Sequence, residues 1–257
     1  MRRQLAVTFS AALLLVSASA AEAVELKVFV GGAMTETVEK IGADYAKASG
    51  NTLSYVSDTT GSLLNRLKKG EKADVIVVTA PAMDGLDKDK SVVAGSRAEL
   101  VKALIGVAVK AGAKAPDISS PDAFKSALLS ARSVSYVDPK AGGTSGTYFE
   151  GLMGKMGIAP QMKAKTVYRN QGSEVADAVA KGDAELGISF IAELAPNKGI
   201  KVAGALPDAI QLPTNYAAAI PSMSANQEAA RGFIRAMTSP AGTAVFKAAG
   251  LEPLGAH

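Results

Sequence analysis

The hydrophobic pattern of the chain alternates between runs typical of buried strands and spacings typical of helices. Leu26–Val30 is a short apolar run rich in β-branched residues, which predicts a buried strand. Over Met34–Ala48 apolar residues recur every three or four positions, which predicts an amphipathic helix capped at its end by Gly50. Leu53–Val56 and Ala73–Ala80 are predicted as the next strands.

The same alternation continues in the second half of the chain. Strands are predicted at 134–137, 165–168 and 186–190, and helices at 146–156, 173–180 and 241–249. Strands alternating with helices imply βαβ units and a parallel sheet. Two apolar stretches, Ile105–Val109 and Tyr216–Ile220, are predicted to cross between two α/β lobes. The first lobe would contain 24–106 with 213–257, and the second 107–212.

The N-terminus has the features of a signal peptide covering residues 1–23. Arg2 and Arg3 precede a short apolar stretch, and Ala21–Ala23 forms an A-x-A cleavage site. The chain has no Cys, so neither a lipoprotein anchor nor a disulfide is expected. The sequence therefore predicts a periplasmic protein without a membrane anchor.

Composition excludes several kinds of chemistry. The 257 residues include no Cys and one His, His257 at the C-terminus. Ser–His–Asp and Cys–His catalysis need a positioned imidazole, and zinc and iron–sulfur sites need His or Cys ligands. Neither a metal nor a cofactor is expected. A net charge of +4 and 5% aromatic residues also argue against a nucleic-acid partner.

Three loops join a predicted strand to a predicted helix and carry glycines and hydroxyls. The backbone N–H groups at a helix N-terminus attract anions, and glycine lets a ligand approach the backbone closely. In open α/β sheets, ligands bind at the carboxyl ends of strands, where these loops lie. The alternative for each loop is ordinary turn and capping chemistry. The candidate ligand-binding residues in them are Gly32, Ala33, Met34, Thr60, Gly61, Ser62, Gly143, Thr144 and Ser145.

Three further candidates lie at or just after the ends of later strands. Arg169 closes one strand and is followed by Ser173 at the start of a helix, and Phe190 closes another strand. An Arg at this place can hold a carboxylate with two parallel hydrogen bonds, although a solvated surface Arg is the alternative. For Phe190, the alternative to a ligand contact is packing in the hydrophobic core.

Five segments, covering 28–50, 59–81, 138–157, 181–190 and 233–254, resemble the periplasmic molybdate-binding proteins. They read VFVGGAMTETVEKIGADYAKASG, TTGSLLNRLKKGEKADVIVVTAP, DPKAGGTSGTYFEGLMGKMG, KGDAELGISF and FIRAMTSPAGTAVFKAAGLEPL. The resemblance implies a two-lobed periplasmic-binding-protein fold of type II, with a mixed sheet flanked by helices in each lobe. It also implies a monomer that closes over a small anionic ligand and delivers it to an ABC permease.

The ligand-binding positions depart from the pattern of that family. Ala33 stands where the family usually has Ser, and Phe190 where it has Tyr, whereas Thr60 keeps a hydroxyl. Two hydroxyl contacts are therefore missing, each worth roughly 1.5–3 kcal/mol to a charged ligand. The third loop, 142–146, is richer in glycine than the family's turn. With Arg169, it would suit a larger organic anion, so molybdate or tungstate and an organic polycarboxylate remain alternatives.

An enzyme is the alternative to a transport protein. Aconitate isomerase, a periplasmic enzyme that handles a tricarboxylate, resembles the same family. A chain with one terminal His would need a Glu, Asp, Lys or Tyr as the base for such proton transfer. Glu174 and Tyr148 are candidates for that base.

Overall fold

The computed structural model describes residues 23–254. Its strands form two sheets, and the carboxyl ends of several parallel strands in each sheet lead into the loops singled out above. The predicted signal peptide lies outside the described residues except for Ala23. Among residues 23–254, no helix has the length and apolar composition needed to cross a membrane.

The first sheet has six strands in the order β11-β4-β10-β3-β1-β2. Their bounds are Glu25–Gly31 (β1), Thr52–Asp58 (β2), Val75–Thr79 (β3), Ala98–Ala103 (β4), Thr214–Ala219 (β10) and Glu252–Pro253 (β11). Strand β1 pairs in parallel with β2 and β3, whereas β10 runs antiparallel to β3 and β4. The sheet is therefore mixed.

The second sheet has five strands in the order β7-β6-β8-β5-β9. Their bounds are Ile105–Lys110 (β5), Val134–Val137 (β6), Thr166–Arg169 (β7), Leu186–Phe190 (β8) and Ile200–Ala205 (β9). Strand β6 pairs in parallel with β7 and β8, and β5 runs antiparallel to β8 and β9. This sheet is mixed as well.

Helices flank both sheets. They are Thr35–Ser49 (α1), Thr60–Lys68 (α2), Ala80–Lys88 (α3), Pro121–Ser130 (α4), Thr144–Lys155 (α5), Ala159–Lys163 (α6), Gly172–Lys181 (α7), Ile191–Leu194 (α8), Gln227–Thr238 (α9) and Pro240–Ala248 (α10). Ser120 caps α4 by accepting a bond from the Ala123 N–H at 3.1 Å. Gly50 ends α1 in the left-handed conformation at φ 78°. The predicted fold class, α/β with two mixed sheets flanked by helices, is confirmed.

The chain passes between the sheets at Leu104 and again along 206–213. Each stretch predicted to cross remains within one sheet, because Ile105–Lys110 is a strand of the second and Thr214–Ala219 a strand of the first. The predicted boundary after residue 106 therefore falls inside β5. The side chain of Gln211 joins the two passages: its Oε1 accepts from the Ile105 N–H at 3.0 Å, and its Nε2 donates to the Ile105 carbonyl at 2.9 Å.

Close packing of α5 against β6 places the third glycine-rich loop. A Cβ at Gly146 would lie well inside contact distance of the Val137 carbonyl oxygen. Only glycine therefore allows the first turn of α5 to approach the end of β6 this closely. Gly151, in the same helix, has no atom within 4 Å of the position of a Cβ.

Replacing these two glycines by alanine is expected to have opposite effects on stability. Gly146→Ala should lower the free energy of unfolding by about 1–3 kcal/mol because the added methyl group displaces backbone. Gly151→Ala should raise it by up to about 1 kcal/mol, since alanine favours the helix. Thermal unfolding of both variants measures the difference, at about 2–4 °C per kcal/mol for a chain of this size. Equal shifts in the two variants would contradict this account of α5.

Candidate functional site

Loops from the two lobes meet directly. The hydroxyl of Thr59 donates a 2.5 Å hydrogen bond to the carbonyl of Ala141, and the Gly61 N–H lies 3.3 Å from the Gly142 carbonyl. The loop after β2 thus contacts the loop after β6. The two lobes are closed onto each other at this point.

A small cavity lies between the closed lobes. It is lined by Gly32, Asp58, Thr59, Thr60, Val137, Gly143, Thr144, Ser145, Gln171, Gly172, Phe190, Glu193 and Tyr216. Its free volume is about 20 Å³, which is space for roughly one water molecule. The lobes must therefore separate before a larger ligand can enter.

A larger cavity, of about 920 Å³, lies on the second lobe. Its lining includes Lys110 at the end of β5 and Glu185 before β8, which is the end of that sheet opposite the glycine-rich loops. No residue of the first sheet lines it. The small cavity between the lobes is the better candidate site because both lobes contribute to it and several helices begin at it.

Half of the residues predicted from the sequence line this cavity, namely Gly32, Thr60, Gly143, Thr144, Ser145 and Phe190. Ala33 and Met34 are buried in the core instead. Gly61 and Ser62 belong to the first turn of α2, and Ser173 is exposed and lines a neighbouring cavity. Contact between any of these predicted residues and a ligand remains a prediction.

Arg169 does not line the cavity. Its Nη2 forms an ion pair with Asp183 at 3.1 Å, and its Nη1 donates to the Tyr168 carbonyl at 2.9 Å. The strand that it ends, β7, lies at the edge of the second sheet, next to β6. The guanidinium group is therefore engaged on the surface of the second lobe.

Three helices begin at the cavity wall. Thr60, Thr144 and Gly172 are the first residues of α2, α5 and α7, and each lines the cavity. The partial positive charge of each helix N-terminus, and N–H groups that have no partner within the helix, favour an anion here. In the closed arrangement two such groups of α2 are already bonded, the Gly61 N–H to the Gly142 carbonyl and the Ser62 N–H to the Thr59 hydroxyl. Within the described residues no Lys or Arg lines the cavity. Amides and hydroxyls are thus the available anion donors.

Glu193, which sequence reasoning missed, contributes a carboxyl to the cavity wall. Ser189 Oγ donates to Glu193 Oε2 at 2.6 Å. The carboxyl also packs against two glycines, since a Cβ at Gly172 would overlap it and one at Gly32 would lie 2.5 Å from Oε1. It thus joins the first loop of one lobe to the start of α7 in the other. The only signal in the sequence is an acidic residue three positions after the LGISF strand.

The surroundings of Glu193 make it an unusual acid. Loss of water around the carboxyl raises its pKa from an ordinary 4.5 to about 7, against the lowering effect of hydrogen bonds from Ser189 and the Phe190 amide. The residue as a whole remains partly exposed. Gly32, Gln171 and Glu193 also line a neighbouring cavity of about 200 Å³. Glu193 therefore lies between the inner cavity and an outer one.

Tyr216 and Asp58 are two further residues of the cavity that the sequence did not indicate. The Tyr216 ring lies edge-on to Phe190, with centroids 6.0 Å apart. Burial, and next the charge of Glu193, raise the pKa of Tyr216 well above its ordinary value. Asp58 accepts the Thr59 N–H at 2.8 Å and the Ser62 hydroxyl at 2.5 Å.

The two candidates for a base that the sequence suggested lie elsewhere. Tyr148 donates its hydroxyl to the Ile210 carbonyl at 2.9 Å, and Glu174 accepts the Asn170 N–H at 3.0 Å. Neither lines the cavity. In residues 23–254 no group of three or more His, Cys, Asp or Glu side chains is arranged to hold a metal ion.

Comparison with known proteins identifies the family. Residues 26–252 match the family model described as bacterial extracellular solute-binding protein. The chain therefore belongs to this family, and the resemblance to the periplasmic molybdate-binding proteins inferred from the sequence is confirmed.

Two curated relatives match along nearly their whole lengths. An aconitate isomerase from Pseudomonas sp is 34% identical over 238 residues, covering 90% of this chain and 89% of the relative. The molybdate-binding protein ModA of Azotobacter vinelandii is 27% identical over 259 residues, covering 96% of each. The solved structure of an Azotobacter vinelandii periplasmic molybdate-binding protein superposes with a TM-score of 0.73 at 22% identity, covering 90% of this chain and all of that one.

The stability of the protein should depend on pH through Glu193. Because the pKa is about 7 in the folded protein and near 4.5 in the unfolded chain, the folded protein retains a proton that the unfolded chain has lost between these values. This contribution is complete below pH 4.5 and is lost as the pH rises through about 7. Each pH unit in that interval should remove up to about 1.4 kcal/mol.

Glu193→Gln is expected to abolish this part of the pH dependence. Urea unfolding of both proteins between pH 5 and 8 measures the difference in slope. The other acidic and phenolic groups around the two cavities, Asp58, Tyr216, Glu36 and Glu39, remain in the variant, so the comparison isolates Glu193. Parallel curves for the two proteins would refute the raised pKa.

Proposed function

We propose that the protein is the periplasmic solute-binding component of an ABC importer and binds a small anion between its lobes. The observation that carries the proposal is the meeting of three helix N-termini from both lobes at one cavity. Among residues 23–254, no cationic side chain lines that cavity. Such a site binds an anion through amides and hydroxyls. The family to which the chain belongs consists of bacterial extracellular solute-binding proteins, in agreement with this proposal.

Among the two ligand classes, an organic polycarboxylate has more support than molybdate or tungstate. Phe190 and Val137 give the cavity apolar walls, and a carbon skeleton has apolar surface to place against them whereas a tetrahedral oxyanion has none. The more similar curated relative is named for aconitate, a tricarboxylate. The less similar one is named for molybdate.

The place and partner of the protein follow from the same reasoning. The predicted signal peptide over residues 1–23 would export the chain, and a solute-binding protein delivers its ligand to a permease in the inner membrane. Ligand capture would close the lobes by rotation about Leu104 and 206–213, where the chain passes between the sheets. A monomer suffices for this function.

A second candidate function is isomerisation of aconitate. It is favoured by an observation that ligand binding alone does not require, a carboxyl in the cavity wall whose pKa is raised to about 7. A group with such a pKa is suited to exchanging protons near neutral pH. The 34% identity with an aconitate isomerase over 90% of the chain supports the same reading.

Thermal denaturation in the presence of candidate ligands tests the proposal. Citrate, cis-aconitate and trans-aconitate are expected to raise the melting temperature more than molybdate, tungstate, sulfate or phosphate. A ligand at 100 times its dissociation constant adds about 2.7 kcal/mol of stability. If none of these anions shifts the transition, the protein is not an anion-binding protein of this kind; a shift with molybdate or tungstate alone would reassign the ligand.

Two substitutions compare how much a residue in the cavity wall and a residue in an ion pair outside the cavity contribute to ligand affinity. Thr144→Val should weaken binding by roughly 10- to 150-fold, because it removes a hydroxyl bond to a charged ligand worth roughly 1.5–3 kcal/mol. Arg169→Ala should change affinity less than twofold because its guanidinium group is paired with Asp183. Isothermal titration with the best ligand from the screen measures both. A large loss with Arg169→Ala would show that Arg169 contacts the ligand, as the sequence suggested.

A further inference from the structure

We propose that Glu193 is the catalytic residue that carries a proton between two carbons of an unsaturated polycarboxylate bound between the lobes. This proposal rests on the second candidate function and deepens it, because it names the group that performs the reaction. Glu193 lies in the wall of the cavity, beside the starts of α5 and α7 and the loop after β1. A ligand in the opened site would meet its carboxyl and the helix amides together.

The position of the carboxyl is fixed by its neighbours. Ser189 Oγ holds Oε2 at 2.6 Å, and the glycines at 32 and 172 leave the space that the carboxyl occupies. The other oxygen, Oε1, faces the loop at Gly32 from the opposite lobe. Opening of the lobes would withdraw that loop and leave Oε1 free to approach a ligand. Ser189 lies on β8, the central strand of the sheet in the same lobe as Glu193, so it would continue to orient the carboxyl.

The reaction needs one group that both removes and returns a proton. In aconitate a methylene carbon next to a carboxylate is bonded to a carbon of the double bond. The ionised carboxylate of Glu193 takes a proton from the methylene carbon: the C–H bond breaks, an O–H bond forms, and the electron pair spreads over the three-carbon unit. The proton then returns to the carbon at the far end of that unit. A C–H bond forms there, the double bond moves by one position, and the carboxylate is regenerated.

The rest of the site suits the charge that develops in this step. Negative charge spreads from the three-carbon unit onto the carboxylates of the ligand, which would face the N-termini of α2, α5 and α7. No oxidant or other reactant enters, since one proton leaves carbon and one returns. The absence of His from residues 23–254 is consistent with a carboxylate in this role.

Other groups in the cavity are less suited. Asp58 is held by the Thr59 N–H and the Ser62 hydroxyl at the start of α2. Tyr216 keeps its proton because burial raises its pKa well above the ordinary value. Glu193 also lines the outer cavity of about 200 Å³, so its proton can exchange with solvent when the inner cavity is closed.

The experiment follows trans-aconitate and cis-aconitate by proton nuclear magnetic resonance in D2O with the purified mature protein. The wild type should interconvert the isomers and place deuterium on carbon, because the proton on Glu193 exchanges through the outer cavity. Glu193→Gln should lose both activities at least 100-fold. Its affinity for aconitate, measured by titration calorimetry, should stay within about threefold because glutamine keeps the shape and polarity of the side chain.

Two control variants separate a catalytic role from a structural one. Glu150→Gln makes the same chemical change at an exposed carboxylate on α5 and should leave isomerisation and deuterium exchange unchanged. Glu193→Asp keeps a carboxylate and should retain measurable exchange that Glu193→Gln lacks. Far-ultraviolet circular dichroism and the melting temperature verify that each variant is folded.

The outcomes distinguish this proposal from the functions on which it rests. If Glu193→Gln binds aconitate and isomerises it at the wild-type rate, Glu193 is not the base although the protein is an isomerase. If the wild type binds aconitate but neither isomerises it nor exchanges its protons, proton transfer fails while anion binding stands. If the wild type binds no tricarboxylate, the substrate class itself is wrong and the proposal falls with it.

Discussion

The convergence of three helix N-termini on one point between the lobes is the constraint on which the site depends. Each helix start presents N–H groups that have no partner within the helix, and their combined field favours negative charge. The parallel pairing of β1 with β2, and of β6 with β7 and β8, brings the loops that precede these helices to the facing ends of the two sheets. Anion recognition is thus a consequence of sheet topology.

Glu193 introduces a second, opposing charge into the same field. A carboxylate next to an anion site would repel the ligand, and burial already disfavours its ionised form. Burial raises the pKa of the Glu193 carboxyl to about 7, so the group is close to half-protonated at neutral pH. A protonated Glu193 would donate a hydrogen bond to a bound anion, and an ionised one would accept a proton from it. The proposed roles in binding and in proton transfer would thus use different protonation states of the same side chain.

The sequence predicted the fold class, and it predicted loops that border the cavity between the lobes, because both depend on local patterns. The periods of strands and helices are visible over a few residues, and the loops after β1, β2 and β6 are recognised from short stretches of glycine and hydroxyl residues in the sequence. The environment of Glu193 is not local: it arises from Gly32 in the other lobe and from Gly172 at the start of α7. Similarly, the guanidinium group of Arg169 is bonded to Asp183, fourteen positions later in the chain, instead of facing the cavity. No rule on residue spacing predicts such a pairing.

The two hydrogen bonds from the Gln211 side chain to the backbone of Ile105 affect how the lobes can move relative to each other. Two separate connections would permit bending in several directions and twisting besides, and the parted lobes would explore many arrangements. The Gln211 side chain, however, bonds the Ile105 backbone at 2.9 and 3.0 Å, which ties the passage along 206–213 to the chain next to Leu104. We therefore expect the two passages to move together when the lobes open, with Gln211 and Ile105 at the shared hinge.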